Sequence, residues 1–205
     1  MKRSDRNGVF KQTYRDYLEQ VNGLDFKSLE QKLGVKINGS DVIVPLFGRP
    51  YRVSKKGIID QADERPSFEI CVMLFKYLLL NRAGYPEDKE WVSYRDLRDS
   101  GPLTAFFRDE VENAISRTYT GRLKSLKAAG ELLEGVPPDM DLPYDLSMQF
   151  NLLPRVPILM LFNDVDDEFP AKCSVLFERR AENYLDAECL AIAGKVLFTT
   201  LKETE

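Results

Sequence analysis

The residues best suited to chemistry lie in one short run, Asn163-Asp164-Val165-Asp166-Asp167-Glu168. Hard cations such as Ca²⁺ and Mg²⁺ take oxygen ligands of this kind from flexible loops. The run lacks the loop length and sixth-position glycine of an EF-hand. As a site it would hold a divalent ion, Mg²⁺ above all, on Asp164, Asp166, Asp167 and Glu168, or set a carboxylate pair to acid–base work. As a structural element it is a hairpin turn between strands at 156–162 and 171–177, where Asp and Asn bond their own backbone. The turn is the commoner use of such a run. Phe169-Pro170-Ala171 follows directly. An apolar anchor there would pin the loop and favour perturbed carboxyl pKa values.

Two further groups are suited to anions. In Arg95-Asp96-Leu97-Arg98-Asp99-Ser100-Gly101-Pro102, a helix start beside Arg95, Arg98 and Ser100 suits phosphate or carboxylate, and Gly101 permits close backbone approach. The same residues also make an ordinary serine cap with proline in the first turn. Arg155 lies between Pro154 and Val156-Pro157, so its exit direction is constrained. It either binds an anionic ligand or forms a structural ion pair, the acidic loop being one candidate partner. Asp186, in Tyr184-Leu185-Asp186-Ala187-Glu188, suits a helix cap; alternatively Asp186 or Glu188 joins the acidic loop in one site. Arg117, Arg122, Lys124 and Lys127 form a basic helix face of the solvated kind.

Composition removes much else. The 205 residues contain no histidine, which excludes Ser–His and Cys–His catalysis and imidazole-ligated metals. The three cysteines, Cys71, Cys173 and Cys189, are too few for a four-cysteine cluster within one chain and form no CxxC. They fit a reducing compartment as small core residues. A net charge of −4 argues against nonspecific nucleic-acid binding. The basic residues of MKRSDRNGVF have no apolar run behind them, as a secretory signal would. The longest apolar stretch, 68–80, is too short to span a bilayer. The expected location is cytoplasmic, with no membrane and no nucleic acid as partner.

The elements that must position these groups follow from periodicity. Phe10, Tyr14, Tyr17, Leu18 and Val21 recur at helical spacing, Asn22-Gly23 breaks the run, and Asp25 caps a second helix that stops at Gly34. Strands follow around 35–37, 42–44, 51–53 and 58–59, with turns at Asn38-Gly39 and Phe47-Gly48. Helices are predicted at 67–82 (closed by Ala83-Gly84 and Pro86), 102–118 and 119–133, with one turn at 94–99. Strands at 144–153, 156–162 and 172–177 precede a last amphipathic helix, 185–202, on Leu185, Cys189, Ile192 and Val196. Strand and helix blocks are segregated, which predicts an α+β fold with mainly antiparallel pairing. Residues 1–205 are expected to form a single α+β domain, with a possible N-terminal lobe at 1–62 and a possible seam near 134–143.

A resemblance adds to this. The ordered set Trp91-Val92-Ser93-Tyr94-Arg95-Asp96-Leu97 with Asp99-Ser100-Gly101-Pro102-Leu103, then Leu152-Leu153-Pro154-Arg155-Val156-Pro157, Leu161-Phe162-Asn163-Asp164, Asp166-Asp167-Glu168-Phe169-Pro170-Ala171 and Tyr184-Leu185-Asp186-Ala187-Glu188 resembles domain-of-unknown-function family 3786. It spans roughly 65–200. It implies a prokaryotic, mainly anaerobic setting and, through members fused to an iron–sulfur domain, a redox partner. This chain lacks the cysteine cluster of those fusions. The resemblance brings no catalytic residue.

Three functions therefore stand as expectations. The first is a non-catalytic module without a cofactor, holding a small molecule or an iron–sulfur or redox partner linked to redox or cofactor metabolism. Its pocket should be apolar and lie near Arg155 and 91–103. The second is a metal-assisted enzyme built on 164–168. The third is a structural or homo-oligomeric subunit.

Overall fold

The computed structural model describes residues 3–80 and 88–204. The closure expected for the buried helix at 83–86 lies outside them. Helix α1 (Arg3–Asn22) leads to α2 (Phe26–Leu33), which Asp25 caps by accepting the Lys27 N–H and Gly34 ends in a left-handed turn at φ 68°. A four-stranded meander follows: β1 (Lys36–Asn38), β2 (Asp41–Leu46), β3 (Arg49–Ser54) and β4 (Gly57–Ile59), each antiparallel to the next. Alternation sends Val42, Val44 and Leu46, and opposite them Tyr51 and Val53, to the inner face.

The buried helix is α3 (Phe68–Leu79), capped by Ser67. A second sheet holds β5 (Trp91–Ser93), β6 (Leu146–Leu153), β7 (Val156–Asn163) and β8 (Lys172–Glu178) in the order β5-β8-β7-β6, all antiparallel. Strand β5 has no counterpart in the expected strands. Its three residues are too few for alternation to register, and their pairing with 176–178 creates the strand. The helix expected at 102–118 is a continuous right-handed run of mixed winding: a 3₁₀ turn (Gly101–Leu103), α4 (Thr104–Phe107), a π turn (Arg108–Glu112) and α5 (Asn113–Tyr119). Gly121, at φ 68°, breaks the chain before α6 (Leu123–Leu132). The expected seam is stitched to the sheet edge, since Val136 exchanges both backbone hydrogen bonds with Gln149, at 3.0 and 2.7 Å.

Helix α7 (Ala187–Glu203) packs against α3, α4 and α6, and Asp186 caps it by accepting the Cys189 N–H at 2.9 Å. Leu185 and Cys189 of the expected face are buried, but beyond them the core face is rotated from the expected one. Leu190, Ala193, Gly194, Leu197 and Leu201 are buried, while Ile192 and Val196 are half-buried. Small residues decide this, because a Cβ at Gly194 would strike the Phe107 ring. Buried side chains from both sheets and from α3, α5 and α7 belong to one contiguous apolar cluster. The fold is α+β with two antiparallel sheets, and no helix among the described residues is long and apolar enough to cross a membrane.

Candidate functional site

The acidic run forms the β7–β8 hairpin loop, and its oxygens are turned on the backbone. Asp164 Oδ1 accepts from Gly121 N at 2.7 Å and from Val165 N at 2.8 Å. Asp166 Oδ1 accepts from Glu168 N at 2.8 Å and Phe169 N at 2.7 Å. Asp145 accepts the Asp164 N–H, and Asn163 accepts that of Asp145. Asp167 and Glu168 are exposed. Phe169 is 65% exposed, so it does not anchor the loop. The Asp164 bond to the glycine between α5 and α6 does that instead. Among the described residues no group of three or more Cys, Asp or Glu side chains is gathered closely enough to hold a metal ion.

The other sequence-predicted groups also find local duties, and none of them bonds the loop among the described residues. Ser100 is buried and donates to the Arg95 carbonyl at 3.0 Å, and its own carbonyl receives Leu103 N and Thr104 Oγ1. Arg98 binds Glu182 through both its backbone N–H and its guanidinium. Arg95 is 73% exposed beside Asp96 at 3.7 Å. Gly101 has open space where a Cβ would stand. Arg155 occupies the β6–β7 turn, at the opposite end of β7 from Asn163, roughly 25 Å away at strand rise. No carboxylate lies within 4.0 Å of it among the described residues. Its Nη2 donates to the Gln31 carbonyl at 3.0 Å, and its N–H reaches the Tyr77 hydroxyl at 3.2 Å. Tyr77 in turn donates to the Leu33 carbonyl at 2.6 Å. Arg155 thus fastens the end of α2 to the second sheet.

Asp186 binds Lys76 of α3 as well as capping α7. Burial alone would raise its carboxyl pKa, but the Lys76 ammonium and the Cys189 N–H outweigh that and hold it below the ordinary value. All three thiols are buried and free. Burial pushes Cys71 up to about 12, and Cys173 and Cys189 also well up, so none is a thiolate near neutral pH.

A concave site lies elsewhere, between the hairpin end of the meander, the start of α3 and α7. The cleft has a volume of about 490 Å³, within the range that holds small organic ligands. Its first wall is Leu46, Phe47, Arg49 and Tyr51 of the β2–β3 hairpin. Leu46 pairs with Arg49, so Phe47-Gly48 is a two-residue turn, with φ 47° and 72°. Glycine suits that conformation, whereas for Phe47 it costs about 1–2 kcal/mol. Phe47 is held there by its N–H bond to Leu152 O at 3.0 Å and its edge-on contact with Phe150. The second wall is Ser67, Glu69 and Ile70 at the start of α3, with Phe106 beside it.

The floor is α7. Ile192, Val196 and Thr199 recur at three- and four-residue spacing, with Glu203 one turn further, so the floor runs about 16 Å along the helix. Thr199 and Thr200 hydroxyls are spent on the carbonyls of Lys195 and Val196. Lys195 is tied to Glu110 at 2.7 Å. Tyr51 differs from these. It is only 9% exposed, lines the cleft, and its hydroxyl has no hydrogen-bond partner among the described residues. Burial raises its pKa, with the Arg49 charge partly opposing, so the phenol keeps its proton at neutral pH.

None of these cleft residues was a candidate in the sequence. The trace they leave there is the pair Ile192 and Val196, which belong to a helix stripe beside a second, fuller stripe; a helix with two apolar stripes has one to spare. The fold and the cleft together define an α+β domain with a preformed apolar recess between a β-hairpin and its longest C-terminal helix. The chain belongs to the domain of unknown function family DUF3786, whose profile matches residues 25–200. No curated protein and no solved structure matches it.

Proposed function

We propose that this domain binds a small, largely apolar molecule in the cleft above α7, without chemistry on it. The observation that carries this is a recess of about 490 Å³ with an apolar floor, into which the Tyr51 hydroxyl opens with no hydrogen-bond partner among the described residues. A ligand acceptor that reaches the hydroxyl as the recess closes over it gains a hydrogen bond worth about 0.5–1.5 kcal/mol. Among the described residues, the cleft's Ser67, Thr199 and Thr200 hydroxyls are bonded to helix backbone rather than to a base, which is why binding is preferred to catalysis. The metal-assisted alternative has less support, because Asp164 and Asp166 already serve backbone N–H groups. The redox setting comes from the resemblance. With all three thiols buried, any iron–sulfur group in that setting belongs to a partner.

The test uses N-phenyl-1-naphthylamine, a neutral probe that fluoresces on entering apolar sites. The protein should bind it saturably, one per chain. Thr199→Trp fills the floor from an exposed position, and Val196→Asp puts a charge there. Each should weaken the probe by more than about tenfold, equivalent to about 1.4 kcal/mol, while Thr199→Trp keeps the melting temperature. Probe binding that is absent, or that survives both variants, overturns the reading.

A further inference from the structure

Resting on that reading, we infer that the ligand is electrically neutral and carries a carbonyl oxygen, which the Tyr51 hydroxyl reads. The charges around the cleft select neutrality. Arg49 and Lys195 face Glu69 and Glu203 across the same recess, so the lining balances. Lys195 is further neutralised by Glu110. An anion would enter against Glu69 and Glu203, and a cation against Arg49 and Lys195, each losing its hydration for no net gain.

The donors select the acceptor. Of the hydroxyls that line the cleft, Thr199 and Thr200 donate to helix carbonyls, and Ser67 serves as the α3 cap, accepting from Ile70 N at 3.4 Å. Tyr51 alone among these has no partner among the described residues. Its phenol is protonated at neutral pH, so it presents a donor. Arg49, two residues along on the same strand face, adds an exposed donor with no ion pair among the described residues. Phe106, Ile192 and Val196 offer the body of the ligand apolar contact without further polar demand. A ketone, ester or quinone-like carbonyl on a flat or branched hydrocarbon frame fits that order of groups; a plain hydrocarbon leaves Tyr51 unserved.

A matched pair of probes isolates the hydroxyl. 2-Acetylnaphthalene and 2-ethylnaphthalene have nearly the same shape and differ in the carbonyl. Each is titrated against bound N-phenyl-1-naphthylamine, on the wild-type chain and on Tyr51→Phe. The ratio of the two displacement constants removes their difference in partitioning. The carbonyl advantage should be about five- to tenfold greater in the wild type than in Tyr51→Phe, the worth of one hydrogen bond. The hydroxyl has no protein partner among the described residues and is not a fully buried atom, so Tyr51→Phe should melt with the wild type. A ratio unchanged by Tyr51→Phe overturns the inference and leaves the cleft reading standing. Failure of both naphthalenes to displace the probe also overturns it. If N-phenyl-1-naphthylamine itself does not bind, the cleft reading falls first.

Discussion

The acidic loop and the cleft invert each other. The loop has carboxylates placed close together in sequence, yet its best-placed oxygens already accept two backbone N–H groups each. The cleft is made of residue types that belong in any core, yet one of them, Tyr51, presents a hydroxyl with no protein partner among the described residues. Proximity of chemical groups in the chain therefore says less about a site than what the fold leaves unsatisfied. A carboxylate that closes a turn has its lone pairs engaged, and a cation would have to compete with those bonds. A phenol with no protein partner exchanges water for any acceptor that arrives, with no internal bond to break first.

The comparison breaks most visibly at the helix that floors the cleft. Asp186 holds the start of α7 through the Cys189 N–H and ties it to Lys76, whose side chain is 15% exposed. Asp186→Ala removes a cap and strands a half-buried ammonium. The loss should be about 2–3 kcal/mol, less than for a fully buried pair because the Asp186 side chain is 42% exposed. Thermal denaturation should show a fall of about 4–10 °C. The pH dependence has a definite sign. The folded pKa of Asp186 lies below the ordinary 3.8, so its stabilisation is complete above that value and is lost as pH falls through the folded pKa. That acid-side loss should be absent from Asp186→Ala. If probe affinity in the cleft also drops, the cleft depends on a fixed α7; if only stability falls, the recess tolerates a loosened start.

On the loop side the largest effect belongs to Asp164. Asp164→Ala frees Gly121 N and Val165 N and should cost about 1–2 kcal/mol, as loss of a helix cap does. The drop should be the same with and without millimolar Mg²⁺ or Ca²⁺. A wild-type melting temperature that climbs with either ion, and stops climbing in Asp164→Ala, would restore the cation reading of the loop.

How far these features could be read in the chain depends on their range. The meander was legible because its turns advertise themselves at Asn38-Gly39 and Phe47-Gly48, and β6 to β8 because alternation or unbroken apolar runs persist for seven or eight residues. The caps at Asp25 and Asp186 were legible for the same local reason. Strand β5 was not, since only its partner makes it a strand. Nor was the π turn at Arg108–Glu112, because no residue type or spacing marks such a winding within a helical run. The cleft draws on 46–51, 67–70, 106 and 192–203. No spacing rule joins segments so far apart, and a missing hydrogen-bond partner is not a property of any residue type.

The π turn supplies a subtler contrast. Glu112 Oε1 accepts Val175 N at 3.0 Å, beyond the point where β5 stops covering β8. Burial raises its pKa above the ordinary 4.5, while the Val175 N–H and the charges of Lys172, Arg95 and Arg108 partly offset this. A raised acid contributes stability that is present below its unfolded value and lost as pH rises through the folded value. Glu112→Gln keeps an oxygen for Val175 and drops the charge. Its melting temperature at pH 7 should equal or exceed that of the wild type, and the wild type's decline just above pH 4.5 should flatten. A marked fall at pH 7 would mean that the charge, rather than the acceptor, is what β8 needs.

The smallest expected effect is the most discriminating for the loop. Asp167 and Glu168 are exposed, and neither side chain makes a hydrogen bond or ion pair among the described residues. If the run is a turn, only Asp164 and Asp166 matter to it, and Asp167→Asn with Glu168→Gln should leave stability within about 0.5 kcal/mol of wild type. If the run is a cation site, these two are its freest oxygens and the first an ion would recruit. Isothermal titration of Mg²⁺ and Ca²⁺ into the wild type and the double variant separates the cases. A turn gives no saturable heat in either chain. A site gives heat in the wild type alone, and the contrast between a spent loop and an unserved cleft would then have to be redrawn with two open sites.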